Sequence, residues 1–368
     1  MRNVVGKKAG DETVHLVDLL ALRSVPAAGV SLGLTRRCPL SCAHCSTNST
    51  LSSEQYPSEI FVRFVSTFDV SDRPEVLAMS GGEALLRPVL VRELADIARR
   101  VGTRSTVLSG MFFAVSRRIP QQIKEAIKAV DHFSASVDVF HEREVPRANV
   151  FRVLDDLLSS GTDVSIHIAG RDASDPYLET IVGEVQRLFN GKVPMLVNAV
   201  SSFGRATAWL TLPSKAVPES VDADPCAMAA WPVVGFDGTI IACGNDHVFD
   251  TLPSHLRLGH ASYDAWSTIR ARCVSSSMLR AIRLFGPEYI ADRFREGDIG
   301  CDGYCRTCMK LLDEPSLEQR IRQLMAKPSV AVLEEQASAM QRRAGAVAFA
   351  RRHALSRYAD LVALGAPA

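Results

Sequence analysis

Apolar residues follow two different repeats along the first half of the chain. Leu90, Leu94 and Ile97 recur at the spacing of one helix face, whereas Val164 and Ile166 alternate with polar residues, as on a half-buried strand. Between residues 30 and 206 these two patterns take turns. They predict strands over 30–34, 76–79, 105–108, 132–137, 163–168 and 195–200. They predict helices over 57–67, 88–101, 119–129, 150–160 and 177–189.

Strands that alternate with helices predict an α/β fold with a parallel sheet and right-handed crossovers. In such folds the functional groups collect at the carboxyl ends of the strands. Polar residues that directly follow a predicted strand are therefore the first candidates for a site.

Composition narrows the possible functions. The chain has 368 residues, of which 47% are hydrophobic and 23% charged, and its formal net charge is +1. This is the profile of an ordinary globular protein, and it provides no overall field for nucleic acid or an anionic membrane. The charged N-terminus is no signal peptide and no apolar run is long enough to span a bilayer, so we expect a cytoplasmic protein without a membrane partner. Six of the nine cysteines lie in two tight triplets, which in a reducing compartment indicates metal binding.

The first triplet, Cys38, Cys42 and Cys45, directly follows the first predicted strand. Three thiolates in a tight loop can bind one face of a cubic iron–sulfur cluster and leave one iron open. A zinc site would show a fourth ligand within reach, and His44, between two of the cysteines, is expected to point away from the same metal. A disulfide would need an oxidising compartment, which nothing in the sequence suggests.

A second motif follows about forty residues later. The apolar strand 76–79 ends in Ser80, Gly81, Gly82 and Glu83. Together with the cysteine triplet, this motif resembles the radical S-adenosylmethionine (SAM) superfamily. In that family SAM chelates the open iron of a [4Fe–4S] cluster, and one electron from the cluster cleaves SAM to a 5′-deoxyadenosyl radical.

The resemblance implies a partial (β/α)6 barrel over residues 28–210, after a lead-in over 1–27. It implies that the glycines let the backbone approach the SAM amino group, and that His44 lies near the adenine. Ser109, Ser136 and Asp138 would meet the ribose and methionyl parts, and Arg171 would pair with the methionyl carboxylate. The expected cofactor-binding set is Ser80, Gly81, Gly82, Glu83, His44, Ser109, Ser136, Asp138 and Arg171.

A proline- and serine-rich stretch over 210–225 marks a domain boundary, and a small α+β domain is expected over 211–315. Residues 233–242 predict a β-hairpin turned by Asp237 and Gly238, which would bring Cys243 beside Cys226. This part resembles the SPASM/twitch domains of some radical SAM enzymes, and implies one auxiliary [4Fe–4S] cluster. Its expected ligands are Cys226, Cys243, Cys305 and Cys308, with Cys301 as a possible substitute.

Two alternatives remain open in this second domain. A structural zinc would use the same thiolates. Cys273 lies outside both cysteine sets, so we expect a small buried residue there; the alternative is a hydrogen-atom donor to the substrate radical. The catalytic acid or base is otherwise unknown.

Residues 316–368 predict a C-terminal helical segment. Its arginines could form a basic stripe for RNA or an acidic partner, but its apolar positions favour a capping or partner helix.

The predicted function is a radical SAM oxidoreductase or epimerase that abstracts a substrate hydrogen, assisted by the auxiliary cluster. Because about 28 residues precede the first strand, too few for a leader-binding domain, we expect dehydrogenation or epimerisation of a small polar natural-product intermediate, such as a sugar or aminocyclitol. Maturation of a ribosomal peptide is the alternative. A flavodoxin or ferredoxin is the expected electron donor. An iron–sulfur carrier or sensor and a tRNA-modifying enzyme are the rival classes; nucleic acid is not expected, because the charge is near neutral.

Overall fold

The computed structural model describes residues 14–211, 221–245, 248–296, 303–311 and 315–367. It confirms the predicted alternation of strands and helices. The strands are β1 Gly29–Gly33, β2 Val76–Ser80, β3 Arg104–Ser109, β4 His132–Ser136, β5 Asp163–Gly170, β6 Met195–Ala199, β7 Val233–Val234, β8 Thr239–Ile241 and β9 Arg257–His260.

The helices lie between these strands and make up most of the chain after β9. They are α1 Leu16–Ala21, α2 Glu59–Val65, α3 Pro88–Arg100, α4 Gln121–Ala129, α5 Arg147–Ser159, α6 Pro176–Leu188, α7 Val248–Thr251, α8 Trp266–Ser275, α9 Ser277–Phe285, α10 Pro287–Phe294, α11 Tyr304–Met309, α12 Pro315–Met325 and α13 Pro328–His353. Short 3₁₀ segments include Ala84–Leu86, Gly204–Ala208, Ala227–Ala230 and Ser356–Ala363.

The first six strands are parallel and lie in the order β6-β5-β4-β3-β2-β1. Each is followed by a crossover helix or loop, so their carboxyl ends meet at one edge, as in a partial (β/α)6 barrel. The α/β prediction is therefore confirmed. On β1 and β2 the outward residues Val30, Leu32, Leu77 and Met79 are almost fully buried.

The predicted hairpin is present and extends the same sheet. β7 pairs parallel with β1, with Ser31 opposite Val233, and β8 then pairs antiparallel with β7 and β9. Among the residues that the structure describes, nine strands thus form one continuous sheet. The boundary at residue 211 stays a prediction.

The C-terminal segment is helical, as predicted, and packs against the barrel. Gly345, at φ 71°, kinks α13. Beyond α13 the backbone N–H of Leu355 donates to the Val197 carbonyl at 2.9 Å. Because β6 is an edge strand, this contact covers part of an exposed hydrogen-bonding edge. Within the described ranges, no helix is both long and apolar enough to cross a membrane.

Candidate active site

A loop over residues 34–50 leaves the carboxyl end of β1 and carries the three cysteines; we call it the cluster loop. Cys38 and Cys42 are buried and Cys45 is partly exposed. Burial raises the pKa of Cys38 to about 12. Burial acts the same way on Cys45, but hydrogen bonds from Thr47 and Ser49 outweigh it and lower its pKa.

The two glycines after β2 press against the cluster loop. The N–H of Gly82 donates to the Thr35 carbonyl at 2.7 Å, and the N–H of Glu83 donates to the Arg37 carbonyl at 2.9 Å. A Cβ on Gly82 would lie 2.5 Å from the Arg37 carbonyl oxygen. A Cβ on Gly81, whose φ is +133°, would lie 2.4 Å from the Thr35 oxygen. Glycine is therefore required here by close backbone approach to the loop.

The Glu83 carboxyl is buried and ties the ends of β2 and β3 together. Oε1 accepts from the Leu85 N–H at 2.9 Å, and Oε2 accepts from Ser109 Oγ at 3.0 Å and the Gly110 N–H at 2.9 Å. Burial raises the pKa of Glu83 to about 7 against these hydrogen bonds. The structure thus gives Glu83 and the Ser109 hydroxyl internal partners, and their contact with SAM stays a prediction.

Beyond β4, Asp138 organises a buried polar group beside the cluster loop. Its Oδ1 accepts from the N–H groups of Phe140 and His141, both at 3.0 Å, and its Oδ2 lies 2.7 Å from His141 Nδ1 and 3.6 Å from His44 Nε2. Burial would lower the pKa of His141, but Asp138 raises it to about 10, and the Cys42 thiol contributes in the same direction. Asp138 is 2% exposed, so its carboxylate serves these two histidines in the structure.

Sequence reasoning missed His141, although its spacing three residues after Asp138 was a usable signal. Among the described residues, one group of three or more histidine, cysteine or acidic side chains has all its ligand atoms within 4.8 Å of one another: His44, Asp138 and His141. The His44 ring also lies 4.6 Å from the Phe140 ring.

The segment after β6 holds the other side of the cluster loop. A Cβ on Gly204 would lie 2.3 Å from the Cys45 carbonyl oxygen. The Arg205 backbone N–H donates to that same oxygen at 2.9 Å, and its guanidinium donates to the carbonyls of Cys42 at 2.8 Å and Ser49 at 2.7 Å. Arg205 therefore holds the second half of the cluster loop, from Cys42 to Ser49, a role that its sequence position did not reveal.

Trp209 connects this segment to the aromatic group. Its Nε1–H donates to the Ala43 carbonyl at 2.8 Å, and its ring lies 5.4 Å from Phe140. The predicted SAM ligand Arg171 is exposed, with its guanidinium carbon 5.8 Å from the Trp209 ring. The structure thus brings Arg171 and His44 to the same mouth of the barrel.

The lower end of the barrel lumen is sealed by a buried polar layer. His132 Nε2 lies 2.8 Å from Ser165 Oγ, which lies 2.9 Å from Ser134 Oγ. His132 Nδ1 lies 2.8 Å from the Val14 carbonyl. These groups satisfy one another's hydrogen-bonding capacity, so a polar layer can be buried at this end of the barrel.

Further along the strands, side chains on the lumen face are partly exposed. Ser136, His167 and Leu196 stand side by side on β4, β5 and β6, and all three are partly exposed. Burial lowers the pKa of His167 to about 4, so its ring is neutral near pH 7. Asn198 lies on the same face, beside Ala169. Ser80, at the end of β2, is likewise partly exposed. The sequence suggested Ser136 but not His167, which its alternation with Ile166 and Ile168 places on the lumen face.

The structure also gathers the four predicted auxiliary thiols. Cys226 precedes the 3₁₀ segment Ala227–Ala230, Cys243 follows β8, and Cys305 and Cys308 lie one turn apart on α11. Burial raises the pKa of Cys243 to about 12, and the charges of Cys226 and Cys305 add to the shift. Burial also raises the pKa of Cys308, followed by the charges of the other three thiols.

Asn245 links two of these thiols. Its N–H donates to Cys243 Sγ at 3.5 Å and its side-chain amide donates to Cys305 Sγ at 3.4 Å. Cys301 lies outside the described residues. Cys273 is fully buried on α8, and its thiol donates to the Ala230 carbonyl at 3.5 Å, which supports a packing role.

The fold is a partial (β/α)6 barrel whose first strand ends in a loop with three cysteines. Residues 32–184 match the model of the Radical SAM superfamily. Residues 32–184 therefore carry a radical SAM domain, and that family implies a [4Fe–4S] cluster and SAM as cofactors.

Individual relatives match more weakly. YydG of Bacillus subtilis (strain 168), described as a putative peptide biosynthesis protein, is 24% identical over 129 residues, which are 34% of this chain and 40% of YydG. The chain thus aligns with less than half the length of this curated relative. Streptococcus suis SuiB, bound to SAM, has a TM-score of 0.49 at 13% identity over 80% of this chain and 76% of SuiB. BtrN, in complex with AdoMet and 2-DOIA, has a TM-score of 0.41 at 12% identity over 70% of this chain and 87% of BtrN.

Proposed function

We propose that Cys38, Cys42 and Cys45 hold the [4Fe–4S] cluster and that SAM binds beside it at the barrel mouth. The observation that carries this proposal is the double clamp on the cluster loop: Gly82 holds the backbone just before Cys38, and Arg205 holds the backbone from Cys42 to Ser49. Three thiols match the donor set of a cluster with one open iron. When bound, the pair supplies a carbon radical that abstracts hydrogen from a substrate C–H bond.

The surrounding residues have three tasks in this proposal. His44, Phe140 and Trp209 form an aromatic wall beside the cluster loop, suited to cover the adenine and exclude water. Arg171 at the same mouth provides a cation for the methionyl carboxylate. Ser136 and the neutral His167 line the open lumen beneath, where they can hydrogen-bond to a polar substrate.

We propose that Cys226, Cys243, Cys305 and Cys308 hold one auxiliary [4Fe–4S] cluster that exchanges an electron with the substrate radical. Thiolates on one tetrahedral zinc lie about 3.8 Å apart, given a Zn–S bond of roughly 2.3 Å. Within the described part of the chain, no three of these thiols form a group whose sulfur atoms all lie within 4.8 Å. The wider spacing favours a cluster over a single zinc ion.

The proposed reaction is dehydrogenation or epimerisation of a polar substrate. The serine, histidine and asparagine side chains of the lumen favour a small polar molecule, such as a sugar or an aminocyclitol. A peptide is the second candidate, because the relative YydG is described as a peptide biosynthesis protein. The experiment measures the rate of 5′-deoxyadenosine formation with a panel of small polar molecules and with a panel of peptides. The substrate class that raises this rate above the substrate-free rate is the one the enzyme acts on.

The central experiment replaces Cys38, Cys42 and Cys45 together by Ala. After anaerobic reconstitution, the variant should produce no 5′-deoxyadenosine and retain about half of the wild-type iron, because only the auxiliary cluster remains. Unchanged iron or continued SAM cleavage would refute the assignment of the primary cluster. A wild-type protein that binds iron but never cleaves SAM under reduction would favour the rival, an electron carrier or sensor.

A further inference from the structure

One arginine beside the auxiliary thiols lacks the counter-charge that arginines in such surroundings normally have. Arg23 follows α1 and is partly buried. Within the described chain, no carboxylate oxygen lies within 4.0 Å of its guanidinium; its hydrogen-bond partner is Met228 Sδ at 3.7 Å. A charge that is partly withdrawn from solvent and has no carboxylate partner is unfavourable, so a nearby anion would stabilise this position.

The surroundings hold the guanidinium in place without neutralising it. The Arg23 guanidinium carbon lies 4.5 Å from the centre of the Trp231 ring, a cation–π contact. The Trp231 Nε1–H in turn donates to the Leu22 carbonyl at 2.9 Å. Met228 and Trp231 both belong to the segment that directly follows Cys226. Arg23 therefore connects the N-terminal segment to the auxiliary site through these contacts.

A further contact places Arg23 near Cys243 as well as Cys226. A Cβ on Gly244, next to Cys243, would lie 3.5 Å from the Arg23 guanidinium. Burial lowers the pKa of Arg23 to about 10, while the charges of Cys243 and Cys226 oppose that shift. The groups beside Arg23 that become negatively charged when they bind a metal are these thiols.

We infer that Arg23 is the counter-ion of the auxiliary cluster and raises its reduction potential. Four thiolates outweigh the positive charge of the core that they hold, so the site is anionic and gains one further negative charge on reduction. A fixed cation stabilises the reduced form more than the oxidised form. This inference rests on the proposed auxiliary cluster, and it favours a cluster that accepts an electron.

Arg352 provides a matched control. It also lies close enough to Cys226 to influence its pKa. Unlike Arg23, it pairs with Asp224, and its side chain is 43% exposed. Solvent and Asp224 therefore screen its charge.

The experiment uses full-length protein in which Cys38, Cys42 and Cys45 are replaced by Ala, so that the auxiliary cluster is observed alone. Arg23→Gln, Arg23→Lys and Arg352→Gln are added separately, and circular dichroism checks the fold. The potential of the reconstituted cluster is measured by a redox titration followed by electron paramagnetic resonance. We expect a more negative potential for Arg23→Gln, a potential near the parent value for Arg23→Lys, and a smaller shift for Arg352→Gln.

An unchanged potential in Arg23→Gln, or an equal shift in Arg352→Gln, would overturn the inference. If Arg23→Gln takes up no iron, retention of iron by Arg23→Lys would support a charge requirement. Loss of iron in both would show a packing role and overturn it. A parent protein that binds zinc or no metal would refute the proposed auxiliary cluster itself, which distinguishes the two failures.

Discussion

The backbone N–H of Gly82 donates a 2.7 Å hydrogen bond to the carbonyl of Thr35. This contact joins the carboxyl end of β2 to the start of the cluster loop, three residues before Cys38. The Gly-Gly-Glu motif therefore forms the surface on which the cysteine loop rests, whatever contact it also makes with SAM.

Gly82→Ala should lower the iron content of the primary cluster. The added Cβ would lie 2.5 Å from the Arg37 carbonyl oxygen, a backbone atom that can move only with the loop. Overpacking of this kind costs about 1–3 kcal/mol. Iron analysis and thermal unfolding of the reconstituted protein measure both effects.

Gly183→Ala is the control for this substitution. Gly183 lies within α6, and a Cβ there would meet no atom within 4 Å. It should keep normal iron and gain up to about 1 kcal/mol from the better helix propensity of alanine. Equal iron in Gly82→Ala and Gly183→Ala would contradict the close packing of the motif.

Arg205→Ala should slow cluster assembly and lower iron retention. The change leaves the carbonyls of Cys42 and Ser49 without their charged donors, each worth about 1.5–3 kcal/mol. Arg205→Lys should recover only part of the lost iron. A lysine restores the positive charge, but a single ammonium group cannot donate to both carbonyls as the planar guanidinium does. Arg187→Ala, on the surface of α6, is the control. If Arg205→Ala loses no more iron than Arg187→Ala, the hydrogen bonds of Arg205 to the cluster loop do not contribute to cluster retention.

Glu83 should make the apoprotein less stable as pH rises. Its pKa is about 7 in the folded state against 4.5 for the ordinary side chain. The folded state therefore binds more protons between these values, and the stability contributed by protonated Glu83 is present below pH 4.5 and lost as pH rises through about 7.

Chemical unfolding of wild type and Glu83→Gln across pH 4.5–8 tests this linkage. The free energy of unfolding of the wild type should fall relative to the variant over this range. Glu93→Gln, an exposed position on α3, should run parallel to the wild type. A constant difference between wild type and Glu83→Gln would mean that Glu83 keeps an ordinary pKa.

Cys308→Ala should separate the two proposed clusters. We expect continued SAM cleavage and continued hydrogen transfer from deuterated substrate, but loss of the normal product, because the electron exchange with the substrate radical is interrupted. Metal binding and folding are coupled, so circular dichroism and thermal unfolding must first show an intact fold.

Cys273→Ala is the matched cysteine control. Its thiol is fully buried and bonds to the Ala230 carbonyl, so iron content and product should be retained. Normal product from Cys308→Ala would argue against the electron-exchange role, and loss of product in Cys273→Ala with full iron would revive Cys273 as a hydrogen donor.

The sequence by itself determined the strand and helix order. Apolar periodicity is a local property: the alternation around Val164 and the helix stripe around Leu90 each bury one face wherever the element packs. The cysteine spacing and the Gly-Gly-Glu motif likewise indicated the resemblance to the radical SAM family, because both follow predicted strands. The hairpin at Asp237 and Gly238 was predictable for the same reason, since turn chemistry is written in two residues.

The tertiary structure alone decided which residues surround the thiols. Arg205 contacts Cys42 across 163 positions of sequence, and Arg23 lies beside Cys226 and Cys243. No local sequence pattern identifies such residues. The residues next to an arginine in the sequence do not show whether its side chain will contact a distant cysteine or solvent. Asp138 and Glu83 were predicted to reach SAM, which stays a prediction; only the structure shows that their buried carboxylates also have internal partners. Burial and charge pairing depend on elements that meet only after folding, so they set the chemistry of this site.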